Sequence, residues 1–98
     1  MDEIGFRNWL ATTGKSKKMQ SDAVSRLKAI QRELGNCDLD SEYKNDCCHK
    51  LLSALDHKGI NEAMESFGSV NLPIGKYSLS TYKYALRMYI TFIETTQI

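Results

Sequence analysis

Glycine placement sets the frame for this chain. Five of its six glycines, Gly14, Gly35, Gly59, Gly68 and Gly75, cut the sequence into stretches, and within them apolar residues recur at helical spacing. The clearest stretch puts Met19, Ala23, Leu27, Ile30 and Leu34 on one 3.6-residue stripe, widened by Val24. Ser16 or Ser21 is placed to cap its start. Gly35-Asn36 is placed to stop it, because both residues tolerate the left-handed conformation that follows a helix.

The other stretches read the same way. A short helix over about Asp2 to Ala11 brings Ile4, Phe6, Trp9 and Leu10 close to one face, with Gly5 weakening it. A third helix starts at Asp40 or Ser41 and runs to His57-Lys58-Gly59, with Tyr43, Cys47, Leu51 and Leu55 at i+4 spacing and Cys48 and Leu52 beside them. A fourth covers about Asn61 to Phe67, turning Ala63, Met64 and Phe67 inward. Gly68 to Gly75 is a loop held by Pro73, with Val70 and Leu72 tucked against the core. The last helix starts at Ser78 or Ser80 and ends near Thr95, on a stripe of Leu79, Tyr82, Leu86, Tyr89 and Ile93, broadened by Ala85, Ile90 and Phe92. No stretch alternates with period two. The expected fold is all-α: a compact single-domain bundle of about five helices over residues 1–98, the first and last both touching the second.

Several function classes fall away at this point. With 98 residues, there is no room for a catalytic domain beside a substrate domain. No apolar run approaches the roughly 18 residues of a membrane span, and the acidic opening Met1-Asp2-Glu3 lacks the apolar core of a signal peptide. Three cysteines, two of them adjacent, read as reduced thiols in a cytoplasmic protein. Cys37, Cys47, Cys48, His49 and His57 do not make a metal site, because Cys47 and Cys48 lie about 100° apart on a helix and no C-x-x-C or H-x-x-x-H spacing occurs. Gly14-Lys15-Ser16 resembles the tail of a phosphate loop, but Trp9 stands where its upstream glycine belongs. No nucleophile–base pair or paired carboxylates suggest an enzyme, and no cofactor is expected.

Charge carries the functional reading. The net charge is +1, unevenly spread: +3 over residues 1–35, −4 over 36–75 and +2 over 76–98. Lys15, Lys17 and Lys18 stand at the start of the second helix, where exposed amides favour anions. Arg26 and Lys28 follow on it, and Lys83 and Arg87 share a face of the last helix at i, i+4. If the two basic ends pack together, these seven side chains form one positive surface able to neutralise several phosphates. No set of side chains announces base readout.

Phe6-x-x-Trp9-Leu10, the break at Gly14-Lys15-Ser16, the long amphipathic helix and the closing Ser80-Thr81-Tyr82-Lys83-Tyr84-Ala85-Leu86-Arg87-Met88-Tyr89-Ile90-x-Phe92 resemble the N-terminal core-binding domain of tyrosine recombinases, the phage integrases. That domain is a SAM-like helical bundle that clamps DNA ahead of the catalytic domain. A second likeness is to small N-terminal modules of predicted restriction-type endonucleases, through Ala23-Val24-Ser25-Arg26-Leu27, Asp38-Leu39-Asp40, Tyr43, Asp46, Leu51-Leu52 and the same last helix. The resemblance implies a non-catalytic DNA-binding accessory module. Tyr82, Tyr84 and Tyr89 are not carried over as a recombinase nucleophile, because the catalytic half is absent. The alternative is a small phage or mobile-element protein that binds a protein partner, such as a nucleic-acid-processing defence complex, as an inhibitor or adaptor. Its acidic middle, Asp38, Asp40, Glu42, Asp46, Asp56, Glu62 and Glu65, would meet a basic surface. Oligomeric state is not legible.

Overall fold

A computed structural model describes residues 1–96, so the last two residues of the expected 1–98 domain lie outside the described residues. Among the described residues the chain is all-α, with six α-helices and no strand. In order these are α1 (Glu3–Thr12), α2 (Lys17–Glu33), α3 (Leu39–Asp46), α4 (His49–Ala54), α5 (Glu62–Glu65) and α6 (Leu79–Thr96), with a tight turn over Asp56–Gly59. The radius of gyration is 13.0 Å, the value of a compact domain of this length. α1, α2 and α6 pack on one another as expected, and α4, α5 and the Asp56–Gly59 turn close the other end.

Helix ends follow the local chemistry. Ser16 caps α2 by accepting from the amide of Met19 at 3.2 Å. α1 stops at Gly14, where Gly14 N–H donates to Ala11 O and Lys15 N–H donates to Leu10 O, each at 3.1 Å. Asp2 caps α1 by accepting from Gly5 N–H at 3.0 Å. A side chain on Gly5 would strike the Asp2 carboxylate, so this glycine fits the cap as well as weakening the helix. Asp38, not Asp40 or Ser41, caps α3, accepting from Ser41 N–H at 3.1 Å.

The expected continuous third helix is broken. Cys47 and Cys48 both adopt the left-handed conformation, at φ 57° and 61°. Cys47 occupies the position after a helix where glycine is usual. A second helix then restarts, its Lys50 amide donating to Asp46 Oδ2 at 3.0 Å. The kink turns Cys48 rather than Cys47 inward: Cys48 is buried with its thiol on Leu39 O, and Cys47 is exposed. At the far end of α4, His57, Lys58 and Gly59 are all left-handed. Asn61 braces this turn, donating to Ala54 O and Asp56 O and accepting from Met64 N–H to cap α5.

The core joins the predicted stripes. Ala23, Val24, Leu27, Ile30 and Leu34 of α2 and its end meet Phe6 and Leu10 of α1 and Leu79, Ala85, Leu86, Tyr89, Phe92 and Ile93 of α6. Met19 departs from its stripe and is exposed. Val70 and Leu72 pack against the core, and their loop is tied to α2 by Asn71 N–H donating to Glu33 at 2.8 Å. Tyr89 is fully buried, its ring edge-on to Phe6 at 5.2 Å. Its hydroxyl accepts from Asp2 N–H at 2.8 Å and donates to Asp40 at 2.7 Å. Asp40 also lies 3.3 Å from the Met1 ammonium, which bonds Asp38 at 2.6 Å. That ammonium holds the Asp38 carboxyl below its ordinary range.

Two stability outcomes follow from these contacts. Tyr89→Phe keeps the ring but orphans Asp2 N–H and one Asp40 contact, and should cost about 1–2 kcal/mol in urea unfolding. Gly59→Ala would place a methyl 2.9 Å from Leu79 Cδ2 at φ +80°; it should lower the unfolding free energy by about 1–3 kcal/mol, read as a lower urea midpoint with an unchanged m-value.

Candidate functional site

The seven basic side chains differ in what they meet. Three of them are held by carboxylates. Lys28 reaches across to Glu3 of α1 at 2.9 Å, and Lys18 pairs with Asp22 on its own helix at 3.9 Å. Lys83, expected on an open face of α6, is only 24% exposed and is bonded to Asp56. Exposed pairs of this kind add little stability, but they cancel charge where a phosphate would need it. Lys15, Lys17, Arg26 and Arg87 pair with no carboxylate among the described residues.

Of these four, Lys15 and Arg87 come together. A groove of about 410 Å³ runs between the end of α1 and the outer face of α6. Trp9, Leu10, Thr13 and Lys15 form one wall, and Tyr84, Arg87, Met88 and Thr91 form the other. Each wall therefore supplies one aromatic ring and one cation. The glycine stop of α1 turns the chain sharply, and that turn sets Lys15 in place. Its amide is spent on Leu10 O, and its carbonyl accepts from the Gln20 side chain at 3.0 Å. On the facing wall, Tyr84, Arg87, Met88 and Thr91 fall at i, i+3, i+4 and i+7, one face of a helix. Trp9 is held from behind by Phe6 at 6.1 Å and Phe92 at 6.0 Å between ring centroids. Lys17 and Arg26 lie outside the groove lining.

A second, smaller depression of about 220 Å³ is lined by Leu55, Asp56, His57, Lys58, Tyr77, Ser80 and Lys83. Lys58 lies over the Tyr77 ring at 4.0 Å. Asp56 sits among cations: the bonded Lys83 ammonium first, with His57 and Arg87 adding, holds its carboxyl below the ordinary value. Glu3 is lowered likewise, first by Lys28 and then by Arg7.

Trp9, Tyr84 and Met88 did not stand out as site residues in the sequence. Trp9 belongs to the apolar set of its helix, yet it is only half buried. Tyr84 lies off the buried stripe of α6, and 51% of it is exposed; an aromatic beside Lys83 and off the stripe was the available signal.

The thiols differ in environment. Cys37 is half buried, Cys47 exposed and Cys48 buried, and burial, followed by the charge of Asp46, pushes the Cys48 pKa up to about 12. Among the described residues no three His, Cys, Asp or Glu side chains converge as metal ligands would. No helix among them is long and apolar enough to cross a membrane. Compared with known family models, curated proteins and solved structures, the chain shows no significant match.

The ion pairs predict the acid limb of stability. A carboxyl whose folded pKa is depressed contributes fully above its ordinary value, 3.8 for Asp56 and 4.5 for Glu3, and loses that contribution as pH falls through the folded value. The melting temperature should fall as pH is lowered from about 4.5 to 2.5. A Glu3→Gln, Asp56→Asn double variant should show a shallower drop when melted across the same pH series.

Proposed function

We propose that this chain is a non-catalytic nucleic-acid-binding accessory module, of the kind implied by its resemblance to the SAM-like core-binding domain of tyrosine recombinases. The observation that carries the reading is the meeting of Lys15 and Arg87, from opposite ends of the sequence, in one groove with no carboxylate partner among the described residues. Two such cations on facing walls suit successive phosphates of a backbone. Lys17 adds charge two residues beyond Lys15 at the start of α2, and Lys83 becomes available wherever a phosphate displaces Asp56. This is a smaller footprint than the seven-residue surface expected from the sequence, and it corresponds to weak, sequence-independent binding.

A protein-binding role, as an inhibitor or adaptor from a phage or mobile element, is the second reading. Its support is a separate cluster around the left-handed turn, where Ile60 is 68% and Tyr77 82% exposed and Ile74 lies near Gly59. Large apolar side chains gathered in solvent favour a protein contact. A pull-down from nuclease-treated lysate with wild type and an Ile60→Lys, Tyr77→Lys variant tests it; equal recovery by both would count against this cluster.

For the leading reading, mixed-sequence DNA in single- and double-stranded form is titrated at about 50 and 200 mM salt. Log affinity should fall against log salt with a slope of roughly −2 to −3, as two or three phosphate contacts require. Arg87→Glu should weaken binding about 10-fold or more at the lower salt. Asp56→Asn, which releases Lys83, should strengthen it and steepen the slope by just under one. Absence of binding to either form at low salt would overturn the proposal.

A further inference from the structure

We infer that the groove between α1 and α6 takes a single strand rather than a duplex, with an unstacked base laid against Tyr84 and its flanking phosphates on Lys15 and Arg87. This rests on the nucleic-acid reading above and specifies its ligand.

Charge supply is the first consideration. A duplex is bound without base readout by spreading many cations along its two backbones. Here the net charge is +1, three of the seven candidate cations are paired with carboxylates, and only two of the remaining four line the groove. Two phosphate contacts alone make a poor duplex site. They are sufficient to flank a base if stacking provides the rest.

The groove walls supply that second component. Apart from the two cations and the hydroxyl-bearing Thr13 and Thr91, the lining is apolar and aromatic: Trp9, Tyr84, Met88 and an edge of the buried Leu10. The outer face of a duplex is phosphate and sugar and offers nothing to such walls. An unstacked base offers a flat apolar face, and every base has one, so the contact is sequence-tolerant. The volume of about 410 Å³ is that of a site for one small flat ligand. Tyr84 keeps half its surface in water, leaving a ring available for stacking. Trp9, fixed by Phe6 and Phe92, is a rigid opposite wall.

Trp9 is also the chain's one tryptophan, so its fluorescence reports on this groove and on the adjoining hollow by Asn8 and Phe92 that shares its ring, and the Tyr84 variants assign the signal to the groove. The test titrates the protein at low salt with oligo(dT) of roughly 12 nucleotides, a duplex of that length and an abasic strand of equal charge. Oligo(dT) is expected to quench Trp9 and to bind about 10-fold more tightly than either of the other two. Tyr84→Ala should lose about 10-fold for oligo(dT), Tyr84→Phe should retain binding, and neither should alter the abasic strand's affinity; circular dichroism checks that both stay helical. A duplex or abasic strand that binds as tightly as oligo(dT) overturns the single-strand assignment and leaves the nucleic-acid reading standing. No binding of any of the three overturns both.

Discussion

Tyr89 is the junction on which the packing depends. Its ring lies in the aromatic layer with Phe6 and Phe92, and its hydroxyl reaches past that layer to the first turn of α1 and to Asp40 of α3. A buried hydroxyl must be satisfied or it destabilises the fold, and only one placement of α1 and α3 against α6 satisfies this one twice. The apolar stripes decide that the helices associate. The Tyr89 hydroxyl decides their register. The groove inherits that register, because Trp9 rides on α1 and Tyr84 and Arg87 ride on α6.

Much of the architecture was legible because it rests on local rules. Gly14, Gly35, Gly59, Gly68 and Gly75 all take positive φ, which is why they marked the ends of elements. The α2 and α6 stripes predicted most of the core by periodicity alone. The break at Cys47–Cys48 was not legible, because cysteine carries no signal for a left-handed residue and the i+4 series of Tyr43, Cys47, Leu51 and Leu55 runs straight through it. What wins there is tertiary: the kink buries Cys48 beside Leu39, and an unbroken helix would aim Cys47 instead. The α3 cap was misplaced by two or three residues because Asp38, Asp40 and Ser41 are all good caps, and Asp40 is taken by Tyr89.

The candidate site was legible in residue type but not in arrangement. The charge pattern singles out Lys15 and Arg87 along with five others, and only the i, i+4 pairing of Lys18 with Asp22 is local. For Lys28 and Lys83 the separation comes from partners distant in sequence. Glu3 neutralises Lys28 from another helix, and Asp56 neutralises Lys83 from the left-handed turn. Trp9 was hidden by its own helix, where its spacing fits the core although the packed structure leaves it half buried, lining a cavity.

Helix α4 has just six residues, His49–Ala54; left-handed Cys47 and Cys48 directly precede it, and left-handed His57 and Lys58 follow shortly after its right-handed cap Leu55. A segment that short does not hold helical form in water by itself, and each non-glycine left-handed residue disfavours it by a further ~1–2 kcal/mol. Its coil-to-helix equilibrium is therefore set from outside, by Leu51 and Ala54 seated in the core and by Asn61 bracing its end. Secondary structure at this point is a product of tertiary docking, and the segment has no independent conformational preference to fall back on.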